Sequence, residues 1–418
     1  MKKNVIITFI VLLLFRLLLS FFDYHGGDLP ELHSEILKYF TSEDVINGEA
    51  YARRGFGIAL MRNIIFSMIL LVIAFTSLPV KLEKFCRNLT KQRFFIASFC
   101  FIAILYSSAA FLSLPFNFYF SYIMEHRFGF SNMTMGFWIW TWLKSFILEI
   151  LSFSIIGALA LAVIRKFRFY SVFVVPMGGL IIGLTMMVIY PMVILPMFYD
   201  IKAIDNPQLE KRVIELAGKT GVSVDKIYVI NESDYSKHTN AFFVGFGSHK
   251  KIYLYDTLIQ NNSESEVISI IAHEIGHWEY NHNLKGVVSG FLLSLCVFML
   301  IYHVIKKMQR ESGNSIGEIY SPSMIPLYLV LFLIISSFTN PAENIISRNM
   351  EMNADYYALN VTGDSDAFIS AEIRLAKDNK SRLNRHPFAA FFRSSHPSAI
   401  ERIRMAEEYR NSFSRHQK

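Results

Sequence analysis

Cysteine and charge are both scarce in this sequence. Its 418 residues include three cysteines, Cys86, Cys100 and Cys296, and no two of them form a C-x-x-C pair. This spacing argues against a disulfide framework and against a thiolate metal site. Only 18% of the residues are charged whereas 53% are hydrophobic, which is too apolar for a soluble protein of this length. The chain is therefore expected to be an integral membrane protein.

Other features are absent as well. The sequence has no low-complexity tract, no glycine-rich phosphate loop and no internal repeat. The formal net charge of +7 does not require a nucleic acid partner, because the basic residues cluster in short loops beside apolar runs. Membrane lipid is the partner that this distribution predicts.

Long apolar runs supply the membrane-spanning elements. Most of them match the roughly 20 residues that a helix needs to cross a bilayer. We expect about seven spans, at residues 5–22, 64–80, 94–114, 145–164, 170–197, 287–305 and 325–338. The first is interpreted as a retained span and not as a secretory signal, since it contains Arg16 and no small-residue cleavage site follows it.

Arg16 and Glu149 are the charges that lie deepest in these runs. In hydrocarbon such groups face a bundle interior or water, which makes them candidates for lining an internal cavity. The alternative is that both side chains reach out to a membrane interface. The sequence leaves both interpretations open.

One short motif carries chemistry. His273, Glu274 and His277 form an H-E-x-x-H pattern, and residues four apart share one face of a helix. Two imidazoles at this spacing can bind one Zn²⁺, with the glutamate beside the metal as a general base. The pattern is typical of a zinc hydrolase.

The residues around the motif predict a helix. Ser263 and Glu266 have the spacing of a capping box, and the following isoleucines and valine supply an apolar face. Gly276 costs roughly 1 kcal/mol relative to alanine inside a helix. Its presence predicts close approach by another backbone or by the metal site itself.

A hydrolytic zinc site needs a third protein ligand and an open position for water. The candidates are Glu279, His282, Glu343, Glu351 and His396. Glu351 is favoured because it shares a helical face with Asp355, so that one carboxylate can bind metal while the other orients a liganding histidine. An ordinary charged pair on a solvated helix remains the alternative.

Two polar stretches interrupt the apolar runs and suggest four regions. Residues 1–199 would hold the first five spans, and residues 200–285 the first part of a zinc domain, with a small sheet and the motif helix. Residues 286–346 would hold two more spans, and residues 347–418 the second part of the zinc domain. Strands are predicted at Lys226–Ile230, Ala241–Phe246 and 251–255. An edge strand of such a sheet can pair with an extended peptide.

The motifs as a set resemble a known family, the Ste24-type integral membrane zinc metalloproteases, also called CAAX prenyl protease 1. The resemblance covers nearly the whole chain. It is carried by the zinc motif together with the segments at 125–130, 236–246, 252–258, 347–355 and 396–403.

This resemblance implies a site and a reaction. One zinc ion per chain would be bound by His273, His277 and Glu351. Glu274 would activate the attacking water, and Asp355 would support His273. The implied activity is zinc-dependent endopeptidase hydrolysis of polypeptides, with or without a lipid group.

The resemblance also implies how substrate and membrane are arranged. Asn240 would hydrogen-bond the substrate backbone at the edge strand, while His396 and Arg402 would approach the scissile carbonyl or its oxyanion. The implied fold is predominantly α-helical and multi-pass, with about seven transmembrane helices around a chamber and a gluzincin-like zinc metalloprotease domain containing a small β-sheet. We expect an active monomer.

The sequence constrains the cellular membrane and the orientation of the protein in it less tightly than it constrains the site. The compact loop at 81–93 and the lack of a C-terminal retrieval signal favour a bacterial inner membrane over the endoplasmic reticulum. The basic residues of alternating short loops place the amino terminus in the cytoplasm and the zinc domain on the opposite side, whereas the family resemblance implies the reverse.

Two other function classes were weighed. One is a catalytically silent relative acting as a scaffold, which the complete set of His273, Glu274, His277 and Glu351 argues against. The other is a transporter with an accidental motif, which the lack of repeated halves argues against.

Overall fold

The computed structural model describes residues 1–26, 30–222, 224, 226–246, 249–312 and 317–416. The helices are α1 (Lys2–His25), α2 (Pro30–Ile36), α3 (Ser42–Phe75), α4 (Leu78–Leu89), α5 (Phe94–Phe118), α6 (Glu125–Arg127), α7 (Met135–Phe167), α8 (Ser171–Ile189), α9 (Leu195–Phe198), α10 (Pro207–Lys219), α11 (Asp256–Asn261), α12 (Glu264–Glu279), α13 (His282–Ser312), α14 (Ile325–Thr362), α15 (Ser365–Asp378), α16 (Pro387–Arg393) and α17 (Ala399–His416). The strands are β1 (Ile201–Ala203), β2 (Lys226–Ile230), β3 (Ala241–Phe246) and β4 (His249–Tyr255). The fold is predominantly α-helical, as predicted.

Among the described residues, six helical segments are long and apolar enough to cross a membrane. They are Lys2–His25, Ser42–Phe75, Phe94–Arg127, Met135–Phe198, His282–Glu311 and Pro322–Thr362. The fourth segment has 64 residues, far more than one crossing needs. It contains α7 and α8, joined by a 3₁₀ turn in which Arg168 has a φ of 50°. Counting α7 and α8 separately gives the seven helices expected.

Two span limits differ from the sequence-based expectation. The run predicted at 64–80 ends as a helix at Phe75, because Thr76 is extended and Pro79 already lies in the first turn of α4. The run predicted at 325–338 continues without a break to Thr362. The last membrane span and the segment that contains the predicted ligand Glu351 therefore form one helix of 38 residues. The region boundary suggested at 346/347 falls inside this helix.

Arg16 and Glu149 both line cavities between the spans, as the first of the two alternatives predicts. Arg16 faces a cavity of about 320 Å³ between α1, α3 and α14. Glu149 faces one of about 330 Å³ between α3, α5 and α7, where it accepts a hydrogen bond from the Tyr106 hydroxyl.

The sheet has the strand order β1-β2-β4-β3. β2 and β4 are parallel, the other two pairs are antiparallel, and β3 forms an edge. The strands predicted at β2 and β3 are confirmed, β4 begins two residues earlier than expected, and β1 was not anticipated. One face of the sheet packs on α10, α11 and α12, with Phe243 and Leu254 in that core.

The basic short loops lie together near the amino-terminal end of α14. Three contacts gather those loops: Met1 N to Glu311 at 2.8 Å, Ser323 N to Glu83 at 3.2 Å, and Arg168 to Glu318 at 3.8 Å. From this end α14 rises roughly 39 Å to Glu351, at about 1.5 Å per residue.

Candidate metal centre

The helix α12 begins as its sequence predicts. Ser263 and Glu266 form a reciprocal capping box, in which Ser263 N donates to Glu266 Oε2 at 2.6 Å and Glu266 N donates to Ser263 Oγ at 3.3 Å. Ile271, Ala272 and Ile275 are fully buried against the sheet. Burial of this apolar face fixes the rotation of α12, so that His273 and His277 turn toward α14.

Gly276 shows the close approach that was predicted for it. A Cβ atom at this position would lie 3.0 Å from the Cα of Ala354 on α14 and 3.1 Å from the Tyr357 Cβ. The two helices therefore touch backbone to backbone beside the histidines.

Three polar side chains converge between α12 and α14. His273 Nε2 lies 3.5 Å from Glu351 Oε2, and His277 Nε2 lies 3.4 Å from Glu351 Oε1. The two Nε2 atoms are 3.0 Å apart. These residues form a group that can hold a metal ion, with one ligand atom from each within 4.8 Å of the others.

The donor set fits zinc. Two imidazole nitrogens and one carboxylate oxygen are the ligand types that hydrolytic zinc sites use, with a fourth position left for water. Each Nε2 faces the centre while each Nδ1 has another partner, as a metal-binding histidine requires. The residues present therefore fit the ion that the family implies.

A second layer of contacts orients the histidines. The Nδ1 of His273 donates to Asp355 Oδ1 at 2.7 Å, and the Nδ1 of His277 lies 3.0 Å from the Nδ1 of His282. Arg402 donates through Nε to Asp355 Oδ2 at 2.8 Å and forms an ion pair through Nη1 with Glu372 at 2.8 Å. Asp355, which is fully buried, is thus held between His273 and Arg402.

The ionisation of these groups follows from burial and neighbouring charge. Burial raises the pKa of Glu274 to about 7, with His273 acting in the opposite direction. Burial and the nearby His273 lower the pKa of His277 to about 4, so its imidazole is neutral at neutral pH. Burial opposes protonation of His273, but the Asp355 carboxylate outweighs it and raises the pKa to about 10. A metal ion must displace that proton on binding.

The guanidinium of Arg402 is paired with two carboxylates, those of Asp355 and Glu372. Burial disfavours its charge, but Glu372 and Asp355 hold its pKa above the ordinary range. Its Nη2 also lies 3.3 Å from the Nδ1 of His273. These contacts favour a positioning role through Asp355, while a role at the oxyanion stays a prediction.

The side chain of His396 is more exposed than that of Arg402. Its Nδ1 lies 3.0 Å from Glu351 Oε2, and its side chain is 65% exposed. The hydrogen bond with Glu351 raises the pKa of His396. An accessible imidazole beside the three converging side chains is suited to approach a substrate carbonyl.

Asn240 lies at the start of the edge strand β3. Its side chain is exposed and its Oδ1 accepts from its own neighbour, Ala241 N, at 2.9 Å. Its backbone carbonyl accepts from Tyr255 N at 3.0 Å, which begins the pairing with β4.

A groove runs beside β3 toward the motif helix. It has a volume of about 360 Å³ and is lined by apolar residues of α8, β3 and the α12–α13 junction. Trp278, the neighbour of His277, and Val244 of the strand both face it. An extended chain placed in this groove would run along the edge of β3 and past the end of α12.

Comparison with known proteins decides the family. The model of Peptidase family M48 matches residues 203–410, and the model of the CAAX prenyl protease N-terminal region, with five membrane helices, matches residues 24–200. The CAAX prenyl protease 1 homolog of Oryza sativa subsp. japonica is 31% identical over 71% of this chain and 69% of its own length. The chain belongs to the CAAX prenyl protease 1 family of M48 peptidases.

The similarity between this chain and other members of the family covers most of its length. CAAX prenyl protease 1 of Saccharomyces cerevisiae is 29% identical over 73% of this chain and 71% of its own length. The crystal structure of S. mikatae Ste24p superposes with a TM-score of 0.85, at 26% identity, over 97% of this chain and 98% of that one. Family and fold make this CAAX prenyl protease 1 relative a membrane-embedded zinc metalloendopeptidase.

His282 is one of the candidates for the third ligand, but it begins α13 and contacts His277 instead of the converging group. Another residue of the site, Glu372, was not predicted. Glu372 carried no signal beyond an acidic residue in the amphipathic helix α15, and only the tertiary structure brings it to Arg402.

Proposed function

We propose that this chain hydrolyses peptide bonds of membrane-associated polypeptides with one zinc ion held by His273, His277 and Glu351. The observation that carries this proposal is the convergence of their three ligand atoms within 4.8 Å of one another. Glu274 lies on the same helix, one residue after the first ligand.

When bound, Zn²⁺ supplies Lewis-acid chemistry, which makes water a stronger acid and a peptide carbonyl a better electrophile. Glu274 takes the proton of the attacking water and returns it to the leaving amine.

The remaining polar residues hold the His273 ring in place and stabilise the oxyanion that forms during the reaction. Asp355 fixes the ring of His273 through its Nδ1, and Arg402 neutralises Asp355 in turn. His396, which lies beside Glu351, donates to the developing oxyanion, a type of contact worth a few kcal/mol.

The substrate lies in the groove beside β3. Its extended backbone pairs with the exposed edge of the strand, and Asn240 hydrogen-bonds it where the strand begins. The apolar lining formed by residues such as Met187, Val244 and Val287 favours an apolar side chain near the cleaved bond.

The substrate class follows from the membrane setting. The yeast and rice relatives are named for CAAX prenyl substrates. In this chain we propose polypeptides with or without a lipid group, cleaved by a monomer in a bacterial inner membrane. In the endoplasmic reticulum, prenylated C-terminal sequences are the corresponding substrates.

The test combines metal analysis with a peptidase assay on the full chain in detergent or nanodiscs. Glu274→Gln is expected to retain one zinc per chain and to lose at least about a thousandfold in kcat, because the proton acceptor is gone. Chelation of the wild-type chain is expected to abolish cleavage, and added Zn²⁺ to restore it.

Glu279→Gln is the matched control. Glu279 lies on the same helix, is exposed, and should tolerate the substitution with unchanged kcat. Undiminished cleavage by Glu274→Gln would refute the role of Glu274, and cleavage unaffected by chelation would refute the zinc mechanism.

A further inference from the structure

Glu125 contacts side chains from two distant parts of the chain. The hydroxyl of Tyr51, on the membrane span α3, donates to its Oε1 at 2.7 Å. Its Oε2 lies 3.0 Å from the Nε2 of His238, which precedes the strand β3. Glu125 itself lies near the end of the third apolar segment, Phe94–Arg127. One carboxylate therefore joins two membrane spans to the sheet.

The His238 ring is also held on its other edge and on one face. Its Nδ1 lies 2.9 Å from Asn379 Oδ1, and Asn379 Nδ2 donates to the Leu375 carbonyl at 3.0 Å, which fixes the amide at the end of α15. The ring stacks on the buried Phe130, with centroids 4.3 Å apart and planes at 26°. These contacts together define the position of the ring.

The backbone on either side of the ring is anchored as well. Lys237 N donates to the Phe130 carbonyl at 2.7 Å. The His238 carbonyl accepts from Thr257 Oγ1 at 2.7 Å, and Thr257 is buried in α11. The segment that leads into β3 is therefore fixed to the loop after α6 on one side and to α11 on the other.

Asn240 follows His238 by two residues, about 7 Å along an extended chain. Its backbone carbonyl accepts from Tyr255 N at 3.0 Å, and its side chain is exposed. β3 pairs with β4 and lies at the edge of the sheet, so its other edge is open to an extended peptide. Because burial does not fix the Asn240 side chain, the anchored segment before it determines where this open edge begins.

The contacts of His238 are separate from the metal centre. The hydrogen bonds described above join His238 to Glu125, Asn379 and Thr257, and none of these four residues belongs to the group that can hold a metal ion. The rotation of α12 depends instead on the burial of its apolar face against the sheet. Loss of the His238 contacts should therefore shift the strand edge while zinc stays in place.

We propose that His238, held by Glu125 and Asn379, is a positioning residue that places Asn240 and the open edge of β3 for binding of the substrate backbone. Tyr51 shares in this role, because its hydroxyl holds the Glu125 carboxylate from α3. His238 acts through Asn240 and the strand, and it does not touch the reacting atoms. This inference rests on the proposed peptidase function.

The experiment compares two fluorogenic peptides that share the cleaved bond, a long one with about six residues on each side of it and a short one with about two. The full chain is assayed in nanodiscs, and zinc content and Tm are measured for every variant. His238→Leu keeps an apolar side chain against Phe130 but removes both ring nitrogens. It is expected to raise KM for the long peptide about tenfold with kcat unchanged, the effect of lost backbone binding, and to leave the short peptide unaffected.

Two milder variants test the same chain of contacts. His238→Gln, whose amide nitrogen can still donate to Glu125, should restore part of the lost affinity. Tyr51→Phe removes one hydroxyl on a membrane span and should raise KM for the long peptide about two- to threefold, again without a change for the short one. This variant keeps the proposal testable if His238→Leu fails to fold.

A double variant separates positioning from a general effect on the fold. Asn240→Ala alone should raise KM for the long peptide. If His238 acts through Asn240, adding His238→Leu should raise KM little further, because coupled residues are not additive. The matched controls are His303→Leu, in the exposed part of α13, and Tyr170→Phe, which is also exposed. Both should keep the wild-type KM for each peptide.

The outcomes separate the hypotheses. Equal effects of His238→Leu and Tyr51→Phe on the long and the short peptide, or a fall in kcat together with zinc content, overturn the positioning role. So does a double variant whose KM is the full product of the two single effects. Absence of any chelator-sensitive cleavage by the wild type refutes the peptidase function instead.

Discussion

Gly276 and Ala354 set the distance between the two helices that carry the proposed metal ligands. A Cβ at Gly276 would lie 3.0 Å from the Ala354 Cα and 3.1 Å from its carbonyl oxygen. His277 follows Gly276 and Asp355 follows Ala354, so a change in this contact moves a proposed ligand and its neighbour together.

Gly276→Ala is therefore expected to destabilise the protein by about 1–3 kcal/mol, because backbone atoms of α14 cannot yield as a flexible side chain would. Thermal unfolding should show a lower Tm, and a chelator titration should show weaker zinc retention. Gly218→Ala is the control, since nothing lies within 4 Å of a Cβ there and alanine favours the helix α10. Equal Tm values for Gly276→Ala and wild type would contradict the packing argument.

Asp355→Asn should weaken zinc binding by about 10- to 100-fold, because an amide can present the wrong group to the Nδ1 of His273 and no longer matches Arg402. Zinc affinity measured by competition with a chromophoric chelator tests this. The matched control is Asp366→Asn, whose side chain is 81% exposed in its pair with Arg410. An unchanged zinc affinity in Asp355→Asn would show that the ring of His273 is held by other contacts.

His238 predicts a pH dependence of stability away from the metal. Its Nε2 lies 3.0 Å from Glu125 Oε2 and its Nδ1 lies 2.9 Å from Asn379 Oδ1. The hydrogen bond with Glu125 raises the pKa of His238, although burial opposes it. Because the folded pKa exceeds the unfolded one, this stabilisation is complete below about pH 6.5 and is lost as the pH rises through the raised value.

Thermal unfolding of wild type and His238→Gln at about pH 6 and about pH 9 tests this expectation. The Tm difference between them should be larger at the lower pH. His303→Gln, in the exposed part of α13, should show the same difference at both. A gap between wild type and His238→Gln that widens toward alkaline pH would contradict the ion pair.

Membrane orientation can be read from two surface positions. Asn88 of α4 lies with the basic short loops and Glu279 ends the motif helix, so cysteines placed there should react from opposite sides of the membrane. The positive-inside rule expects the Asn88 position in the cytoplasm. Impermeant thiol reagents on intact cells, in a background lacking Cys86, Cys100 and Cys296, provide the measurement. Labelling of both positions from one side would contradict the arrangement of the spans.

The sequence predicts best where local patterns dominate. The capping box of Ser263 and the strands β2 and β3 follow from short-range rules. Gly276 predicted close approach by another backbone or by the metal site, and the structure shows the contact with the backbone of α14. The third ligand was harder. Residue spacing left five candidates for it, and only the fold brings Glu351, 74 positions after His277, beside both imidazoles.

Long-range polar contacts were the least predictable part. Glu372 and Arg402 lie on different helices, and no periodicity distinguishes a buried ion pair from two solvated charges. The end of α3 at Phe75 was not predicted for a different reason. The apolar run of the sequence continues through Pro79, whereas the helix ends at Phe75.

The uninterrupted course of α14 from Ile325 to Thr362 makes the catalytic half inseparable from the bilayer. Excising a water-soluble peptidase from this chain would cut the helix that carries Glu351 and separate this proposed ligand from the span that positions it.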